Sequence, residues 1–358
     1  MKKTSRPKKR VSVRLAIIGT GGMANQHAKK FKEIAGCELV AAADVDPLRV
    51  QDFCAKHGIP KAYTDLSLLL KTEQVDAVSI VTPDVFHAPL SIQCLKAGKH
   101  VLCEKPLALN YEDAHKMVLA ARKSGVMHMV NFSYRDWPCI QAVAELVKKG
   151  VLGDLRHVEA SYYQSWLSSK VWGDWRSSSG WLWRLSKKHG SHGVLGDVGV
   201  HIVDFATFPA GPLAAVLCRL KTFAKAPRNR VGEYVLDAND SAVMLVEYQN
   251  GALGTIQTTR WASGHANRLY LKIAGTLGAV EIDSERSTTG YRLCAGPDLD
   301  KAQWQSMEAP ATPDNYARFI RAIQTGRAEP PDFVRGAEVQ KVLDACLESD
   351  AKGAWVKV

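Results

Sequence analysis

Two short motifs contain the residue types best suited to chemistry. Gly19-Thr20-Gly21-Gly22-Met23-Ala24 follows a short apolar run, and Glu104-Lys105-Pro106 closes a later one. The first motif is typical of a dinucleotide-binding turn, in which glycines let the backbone approach a pyrophosphate. The second places an amine where a strand of the same domain is expected to end. Together the two motifs favour a redox enzyme.

The elements around the glycine motif match a dinucleotide fold. Residues 13–18 form an apolar strand, residues 27–34 a helix, and residues 39–43 a second strand that ends at Asp44. In this context Gly19 allows the tight turn, and Ala24 allows the helix to pack closely on the strand. The helix N-terminus then offers unpaired N–H groups to the phosphates. We therefore expect cofactor contacts from Gly19, Gly21, Gly22, Met23, Ala24 and Asp44.

Asp44 bears on the choice of cofactor. A carboxylate at the end of the second strand accepts hydrogen bonds from a ribose 2′-hydroxyl and repels a 2′-phosphate. Val45 and Asp46 follow it, so no basic residue comes directly after to receive that phosphate. The sequence predicts NAD as cofactor, with NADP less favoured.

Strands and helices continue to alternate up to residue 130. Helices are predicted at 65–70, 88–97 and 111–124, and strands at 75–81, 100–103 and 126–130. Ligands of open parallel sheets bind beyond the carboxyl ends of the strands. Further cofactor contacts are therefore expected from Thr82, Pro83, Glu104 and Lys105, and the family resemblance described below adds His87 to them.

The pattern changes near residue 133. Long alternating strands are predicted at 213–222, 242–249, 253–259 and 268–274, and Asn250-Gly251 is a hairpin signal. The predicted fold is α/β, with an N-terminal Rossmann domain whose parallel sheet is doubly wound (13–132). A C-terminal α+β domain with an open, mostly antiparallel sheet follows (133–358), and residues 315–324 and 336–349 are predicted as closing helices.

Asp197, His201 and Asp204 form a second candidate group. In a helix these positions share one face, because they are separated by four and three residues. An imidazole with carboxylate neighbours is a suitable general base, since an acid can orient it and stabilise its charged form. Asp197 is expected either to position the substrate or to orient His201.

The sequence resembles the glucose–fructose oxidoreductase / inositol dehydrogenase (Gfo/Idh/MocA) family over residues 14–358. The resemblance rests on the glycine motif, Asp44, Thr82-Pro83 with His87, Glu104-Lys105-Pro106 and the segment 197–204. It implies that the lysine and histidine of these motifs flank the nicotinamide. It also implies that the helices at about 313–350 pack back towards the first domain, and that the open sheet makes oligomer contacts.

The resemblance suggests a reaction. His201 would take the proton of a substrate hydroxyl while hydride leaves carbon, and Lys105 would stabilise the developing alkoxide. The catalytic residues are predicted to be Lys105, His201 and Asp197. No metal site is predicted.

Five of the nine tryptophans lie between Trp166 and Trp183. They could line a carbohydrate pocket or pack a loop or a subunit interface. His192 replaces a residue that is commonly glycine in the family, and it could contact substrate, join a metal site or serve local packing. Besides Lys105, Asp197 and His201, the residues expected to contact substrate are Arg135, Trp175, Arg176, Trp183, Arg184 and His192.

Composition argues against other classes of protein. The net charge is +11, but six of these charges lie within the first ten residues, which leaves +5 for the rest. Residues 1–12 are therefore expected to be a disordered basic tail, and no nucleic-acid partner is predicted. No apolar stretch is long enough to span a membrane. Eight scattered cysteines without C-x-x-C pairs favour reduced thiols in the cytoplasm.

The function that we expect is NAD-dependent oxidation of a ring hydroxyl of a sugar, glycoside or cyclitol, or reduction of the ketone. One alternative is a redox-assisted glycoside hydrolase or lyase, since the NAD-dependent glycosidases of this superfamily carry a histidine–glycine pair in a region comparable with 189–196. Another is a ligand-sensing regulator, although Lys105 and His201 are both present. A homodimer or homotetramer is expected.

Overall fold

The structure, a computed structural model, describes residues 12–358. Residues 1–11 of the predicted basic tail therefore lie outside the described residues.

Strands and helices alternate in the first part of the chain. They are β1 Val13–Ile18, α1 Gly22–Lys32, β2 Cys37–Ala43, α2 Pro47–His57, β3 Ala62–Tyr63, α3 Leu66–Thr72, β4 Ala77–Ile80, α4 His87–Lys96, β5 His100–Cys103, α5 Tyr111–Ser124 and β6 His128–Val130.

Strands dominate the part of the chain that follows. Its elements are α6 Pro138–Lys148, β7 Leu155–Gln164, α7 Ser179–Leu182, a π-helix Leu195–Gly199, α8 Val200–Ala210, β8 Leu213–Lys221, β9 Arg230–Val231, β10 Tyr234–Val235, β11 Ser241–Tyr248, β12 Leu253–Thr259, β13 Asn267–Gly275, β14 Gly278–Asp283, β15 Gly290–Ala295 and β16 Gln305–Glu308. The C-terminal elements are α9 Asn315–Thr325, α10 Phe333–Lys352 and β17 Val356–Lys357.

The chain divides into two compact units, and the last of the three boundaries along the chain falls within α10. The first unit contains the described residues up to Asn131 together with Pro313–Ala337, and the second contains Phe132–Thr312 and Glu338–Val358. The first unit thus includes α9, which follows the strands of the second unit in sequence. Tyr316, Phe319 and Ile320 of this helix are buried in the same core as β1 and α1.

Within residues 12–131 the six strands form one parallel sheet in the order β3-β2-β1-β4-β5-β6. This order reverses direction between β1 and β4, which is where doubly wound sheets bind ligands. The glycine motif follows β1, and Thr82 follows β4. The Rossmann prediction is therefore confirmed, and the two loops lie at the switch point of the sheet.

The second unit is built on a nine-stranded sheet within the described residues. Its order is β16-β15-β14-β13-β7-β12-β11-β8-β17, and the pairs are antiparallel except for β7 with β12. The hairpin between β11 and β12 turns at Asn250-Gly251, where Gly251 has a φ of +86°. The prediction of a mostly antiparallel open sheet is confirmed.

Helix α2 was not predicted, although its end signals are present in the sequence. Asp46 accepts hydrogen bonds from the N–H groups of Leu48 and Arg49, and Pro47 occupies the first helical position. Gly58 ends the helix in the left-handed conformation.

Within residues 12–358, none of the helices combines the length and the apolar character needed to cross a bilayer.

Candidate active site

The turn after β1 has the space and the backbone conformation for a dinucleotide. Gly19 has a φ of +89°, and a Cβ atom on it would lie 2.7 Å from the Val81 carbonyl oxygen. A Cβ on Gly21 or Gly22 would meet nothing within 4 Å, so the space above the start of α1 is open. No side chain among residues 12–358 caps α1, which leaves its first N–H groups to a ligand.

Thr82 adds a polar group beside this turn. A Cβ on Gly19 would also lie 2.9 Å from the Thr82 side-chain methyl carbon. The Thr82 Oγ1 is buried and has no hydrogen-bond partner among the described residues. Buried hydroxyl groups are usually hydrogen-bonded. The turn and the unpartnered hydroxyl therefore fit a bound NAD, and the residues that would hold it are the glycine motif, Asp44 and Thr82.

Asp44 is fixed as an anion at the end of β2. Its Oδ2 accepts hydrogen bonds from the Thr20 N–H at 2.8 Å and from the Thr20 hydroxyl at 2.9 Å. Burial opposes ionisation, but main-chain hydrogen bonds from Asp46 and Thr20 outweigh it and hold the pKa of Asp44 below its usual value. The Arg49 Nη1 lies 3.4 Å from Asp44 Oδ1. Arg49, in the first turn of α2, was missed in the sequence because only the residues directly after Asp44 were considered.

His87 connects the loops that follow β4 and β5. Its Nδ1 lies 2.7 Å from the Pro106 carbonyl oxygen, and its Nε2 lies 2.9 Å from the Thr82 carbonyl oxygen. Both partners only accept hydrogen bonds, so both ring nitrogens must carry protons. Burial opposes this charge, but Cys103, Asp84 and the Pro106 carbonyl outweigh it and raise the pKa of His87 to about 10. The residue orders the two loops, and its burial does not support the expected direct contact with cofactor.

Glu104 and Lys105 follow β5. Lys105 is half-buried, whereas Glu104 is buried and accepts hydrogen bonds from side chains of the same unit. Its Oε1 lies 2.8 Å from His27 Nε2 and 2.6 Å from Asn131 Nδ2, and its Oε2 accepts from the Lys105 N–H at 3.1 Å. Burial opposes ionisation, but these donors, led by His27, lower the pKa of Glu104 to about 2. This geometry gives no support to a direct cofactor contact of Glu104.

The second motif begins with a π-helical turn rather than a regular helix. Asp197 lies within the π-helix, and His201 and Asp204 lie on α8. π-Turns are rare and often mark functional sites. A Cβ on Gly196 would lie 2.3 Å from His192 Cβ, so the turn can pack this closely only with glycine at that position. The three motif residues have different neighbours in this arrangement.

Asp197 is bound by arginines that lie outside its own helix. Its Oδ2 accepts a hydrogen bond from Arg260 Nη2 at 3.0 Å and lies 3.7 Å from Arg184 Nε. The Arg260 side chain is fully buried and also donates to the Arg184 carbonyl oxygen at 3.0 Å. Arg260 was missed in the sequence, although it directly follows the alternating strand β12. Its guanidinium holds the Asp197 carboxylate in place.

His201 lies beside a group of hydrogen-bonded polar side chains. Its ring makes an edge contact with the Tyr134 ring, with centroids 4.7 Å apart. The Tyr134 and Tyr162 hydroxyl oxygens are 2.6 Å apart, and Tyr162 donates to Asn267 Oδ1 at 2.8 Å. Burial, with the nearby Tyr134 and Asp197, raises the pKa of Tyr162 well above its usual value. Tyr162 therefore stays a hydrogen-bond donor, and Tyr134 limits the orientations of the His201 ring.

Arg135 is used inside the second unit, which gives no support to the predicted contact with substrate. Arg135 is 4% exposed, and its Nε and Nη2 each lie 2.8 Å from an oxygen of Asp204. Its guanidinium also lies over the Phe208 ring, 4.0 Å from the centroid. Fork-shaped pairing of this kind satisfies both charges. Arg135 and Asp204 hold α8 in place, and no local sequence pattern indicates this pairing across 69 positions.

The Trp-rich segment has its own small core. Trp166 and Trp175 are each 2% exposed and pack with Leu167, Leu182, Leu185 and Leu236. The Trp175 indole N–H donates to the Leu167 carbonyl oxygen. This burial favours the packing alternative for Trp175 over substrate contact. Trp183 is 36% exposed.

The basic residues of this region differ in their surroundings. Arg184 lies over the Trp183 ring at 4.6 Å, and Arg176 lies over Trp175 at 4.4 Å. His192 is exposed, whereas the His189 ring packs against Tyr234 with centroids 4.3 Å apart. Among the described residues, no group of three or more His, Cys, Asp or Glu side chains is placed to hold a metal ion. The possible metal role of His192 thus gains no support.

Asp44 should control the choice between the two nicotinamide cofactors. In the variant Asp44→Ala, the repelling carboxylate is lost while Arg49 stays available to a 2′-phosphate. We expect the ratio of the Kd for NADPH to that for NADH to fall by about tenfold or more, or about 1.4 kcal/mol. Fluorescence titration with both reduced cofactors measures this ratio. The double variant D44A/R49A should lose much of the gain, and an unchanged ratio in D44A would refute the role of Asp44.

Arg135 should matter for stability. Arg135→Met leaves Asp204 buried without its partner, which we expect to lower the free energy of unfolding by about 3–5 kcal/mol. Denaturant unfolding measures the loss, and Arg219→Met, at a side chain that is 71% exposed, is the control. A normal stability of R135M together with a raised KM for substrate would instead support the predicted contact of Arg135 with substrate.

Comparison with known proteins identifies the family. Residues 13–132 match the family described as "Oxidoreductase family, NAD-binding Rossmann fold", and residues 140–281 match "GFO/IDH/MocA C-terminal domain". Levoglucosan dehydrogenase of Pseudarthrobacter phenanthrenivorans is 27% identical over 97% of this chain and 98% of its own length. Trans-1,2-dihydrobenzene-1,2-diol dehydrogenase of Mus musculus is 30% identical over 76% of this chain and 75% of its own.

Solved structures agree with these matches. The structure of levoglucosan dehydrogenase in complex with NADH and levoglucosan has a TM-score of 0.85 and is 26% identical, covering 97% of this chain and 99% of that chain. The predictions of an NAD cofactor and of an oxidoreductase are thereby confirmed. The chain belongs to the Gfo/Idh/MocA family of oxidoreductases, and its first unit is the NAD-binding Rossmann domain of that family.

Proposed function

We propose that this protein is an NAD-dependent dehydrogenase that oxidises a ring hydroxyl of a sugar, glycoside or cyclitol, or reduces the corresponding ketone. The observation that carries the proposal is the match to levoglucosan dehydrogenase over 97% of the chain, with both Lys105 and His201 present. The carbohydrate-directed names of such relatives support a substrate with several hydroxyl groups. Arg184, which is half-exposed beside Asp197 and Trp183, is proposed to contact these hydroxyl groups.

Each proposed catalytic residue has a chemical task. His201 takes the hydroxyl proton as the C–H bond breaks, and Lys105 donates a hydrogen bond to the same oxygen as it gains negative charge. Asp197, held by Arg260 at 3.0 Å, positions the substrate or the His201 ring. NAD, when bound, accepts the hydride. In the reverse direction His201 returns the proton to the oxygen of the reduced ketone.

The test is to supply NAD with a panel of cyclitols, monosaccharides and glycosides. The absorbance of the reduced nicotinamide measures how much NADH is formed. Lys105→Ala should lower kcat by about 100-fold to 1,000-fold, because one donor to the developing alkoxide is lost. His201→Ala should lower it by about 100-fold to 10,000-fold, because the proton acceptor is lost. Lys96→Ala, at an exposed lysine of α4, is the control.

The same panel tests the alternatives. Cleavage of a chromogenic glycoside without accumulation of NADH would replace the dehydrogenase with a redox-assisted glycosidase. Binding of NADH with neither activity would favour a ligand-sensing regulator. Turnover that is equal in the wild type and Lys105→Ala would refute the assigned role of this lysine.

We also propose that the protein is a cytoplasmic homodimer or homotetramer. All eight cysteines are free, which suits a reducing compartment. On one face of the sheet Val243, Leu245 and Leu253 are 48%, 45% and 56% exposed, an apolar patch of the kind that oligomers cover.

Light scattering measures the number of copies in solution. The double variant V243K/L245K should shift the oligomer towards monomer, because two charges would have to be buried at the contact. Leu119→Lys, at an exposed leucine on α5, should not change the mass. A monomeric wild type, or a V243K/L245K variant with unchanged mass, would refute this arrangement.

A further inference from the structure

A buried hydrogen-bond network links α1 to the loop of Lys105. Glu104, at the end of β5, is the centre of the network and is 8% exposed. One carboxylate oxygen of Glu104 forms hydrogen bonds with His27 Nε2 at 2.8 Å and with Asn131 Nδ2 at 2.6 Å. The other oxygen accepts the main-chain N–H of Lys105 at 3.1 Å. One side chain thereby joins helix α1, the residue after β6 and the backbone of Lys105.

His27 is held in a single orientation within this network. It is fully buried on α1, and its Nδ1 lies 2.8 Å from Ser79 Oγ on β4. The Tyr316 ring packs against the His27 ring in a T-shaped arrangement, with ring centroids 4.9 Å apart. The Ser79 hydroxyl can donate to Nδ1 while Nε2–H donates to Glu104, so a neutral ring satisfies both contacts. The His27 ring has a partner at each nitrogen and the Tyr316 ring beside it, so it has little freedom to turn away from Glu104.

The position of His27 along α1 places the network close to the part of the helix that fits the dinucleotide phosphates. The helix begins at Gly22, where the open space and uncapped N–H groups fit the dinucleotide phosphates. His27 lies five residues further, little more than one helical turn. A contact of 2.8 Å joins His27 to Glu104 and one of 3.1 Å joins Glu104 to the Lys105 backbone, so a displacement of α1 would reach the loop of Lys105 through two hydrogen bonds.

The chemistry of Glu104 makes the link a stiff one. A buried carboxylate is costly unless donors satisfy it, so loss of any one donor is strongly unfavourable. Hydrogen bonds to an ionised acceptor are about twice as strong as those between neutral groups. The network therefore resists changes in the spacing between α1 and the loop of Lys105.

We propose that His27 is a positioning residue that, through Glu104, fixes the loop of Lys105 when the dinucleotide binds to the first turn of α1. The inference rests on the proposed function for the reactivity of Lys105, and it adds to that function a coupling between cofactor binding and placement of the lysine. His27 acts through Glu104 and does not contact the reacting atoms.

Hydrogen–deuterium exchange of the full chain, with and without saturating NADH, tests the coupling directly. In the wild type NADH should slow exchange both at residues 19–27 and at residues 103–108. In His27→Leu the slowing at 103–108 should fall from about tenfold to less than about twofold, while that at 19–27 remains. Glu104→Gln should behave in the same way, because an amide cannot accept all three hydrogen bonds.

Three further variants separate positioning from loss of structure. His27→Gln keeps a side-chain amide that can donate to Glu104, so it should recover much of the slowing at 103–108. His115→Leu and Glu112→Gln carry the matching changes at exposed sites on α5 and should resemble the wild type. The NADH Kd of His27→Leu should stay within about threefold of wild type. With an active substrate, kcat should fall more than the KM for NAD rises.

Several results would overturn the proposal. Slowing at 103–108 that persists in both His27→Leu and Glu104→Gln would show that the network does not carry the coupling. Loss of NADH binding in these variants would show that they serve the cofactor site itself. Absence of the effect at 103–108 in the wild type would also refute it. A wild type that couples NADH to residues 103–108 but oxidises no sugar or cyclitol would refute only the proposed function.

Discussion

The buried carboxylate of Glu104 is the constraint on which the loop of Lys105 in the first unit depends. A carboxylate in the protein interior is tolerated only when donors surround it. His27, Asn131 and the Lys105 N–H supply those donors from three different elements. Because all three must be in place, the ends of β5 and β6 and the helix after the glycine turn are held in one arrangement.

In the second unit, arginine side chains donate the hydrogen bonds that satisfy the carboxylates. Asp204 is satisfied by the two-point pairing with Arg135, and Asp197 by the buried Arg260. One pair lies on α8 and the other on the π-turn that precedes it. His201 lies between the two anchored positions in sequence. Its place therefore depends on buried charge pairs whose arginines come from outside the helix.

The parts that the sequence predicts are those with local causes. The glycine turn, the strand runs of the first unit and the Asn250-Gly251 hairpin depend on neighbours in sequence, and the structure contains each of them. The supporting pairs depend on long-range folding: His27 with Glu104 spans 77 positions and Arg260 with Asp197 spans 63. The π-turn is not predicted either, because a spacing of four residues fits a regular helix. The pairing of Arg135 with Asp204 spans 69 positions and likewise has no cause among neighbours in sequence.

In each unit these carboxylates and the groups that donate hydrogen bonds to them belong to that same unit. The donors to Glu104 all come from the first unit, and the arginines of Asp197 and Asp204 come from the second. The folded-state pKa of Glu104, about 2, lies below its usual value, so its ionisation stabilises the fold above about pH 4.5 and this contribution is lost as the pH falls through about 2. In the neutral range Glu104 therefore stays ionised, so the hydrogen bonds from His27, Asn131 and the Lys105 N–H keep their charged acceptor and hold the loop of Lys105 in place.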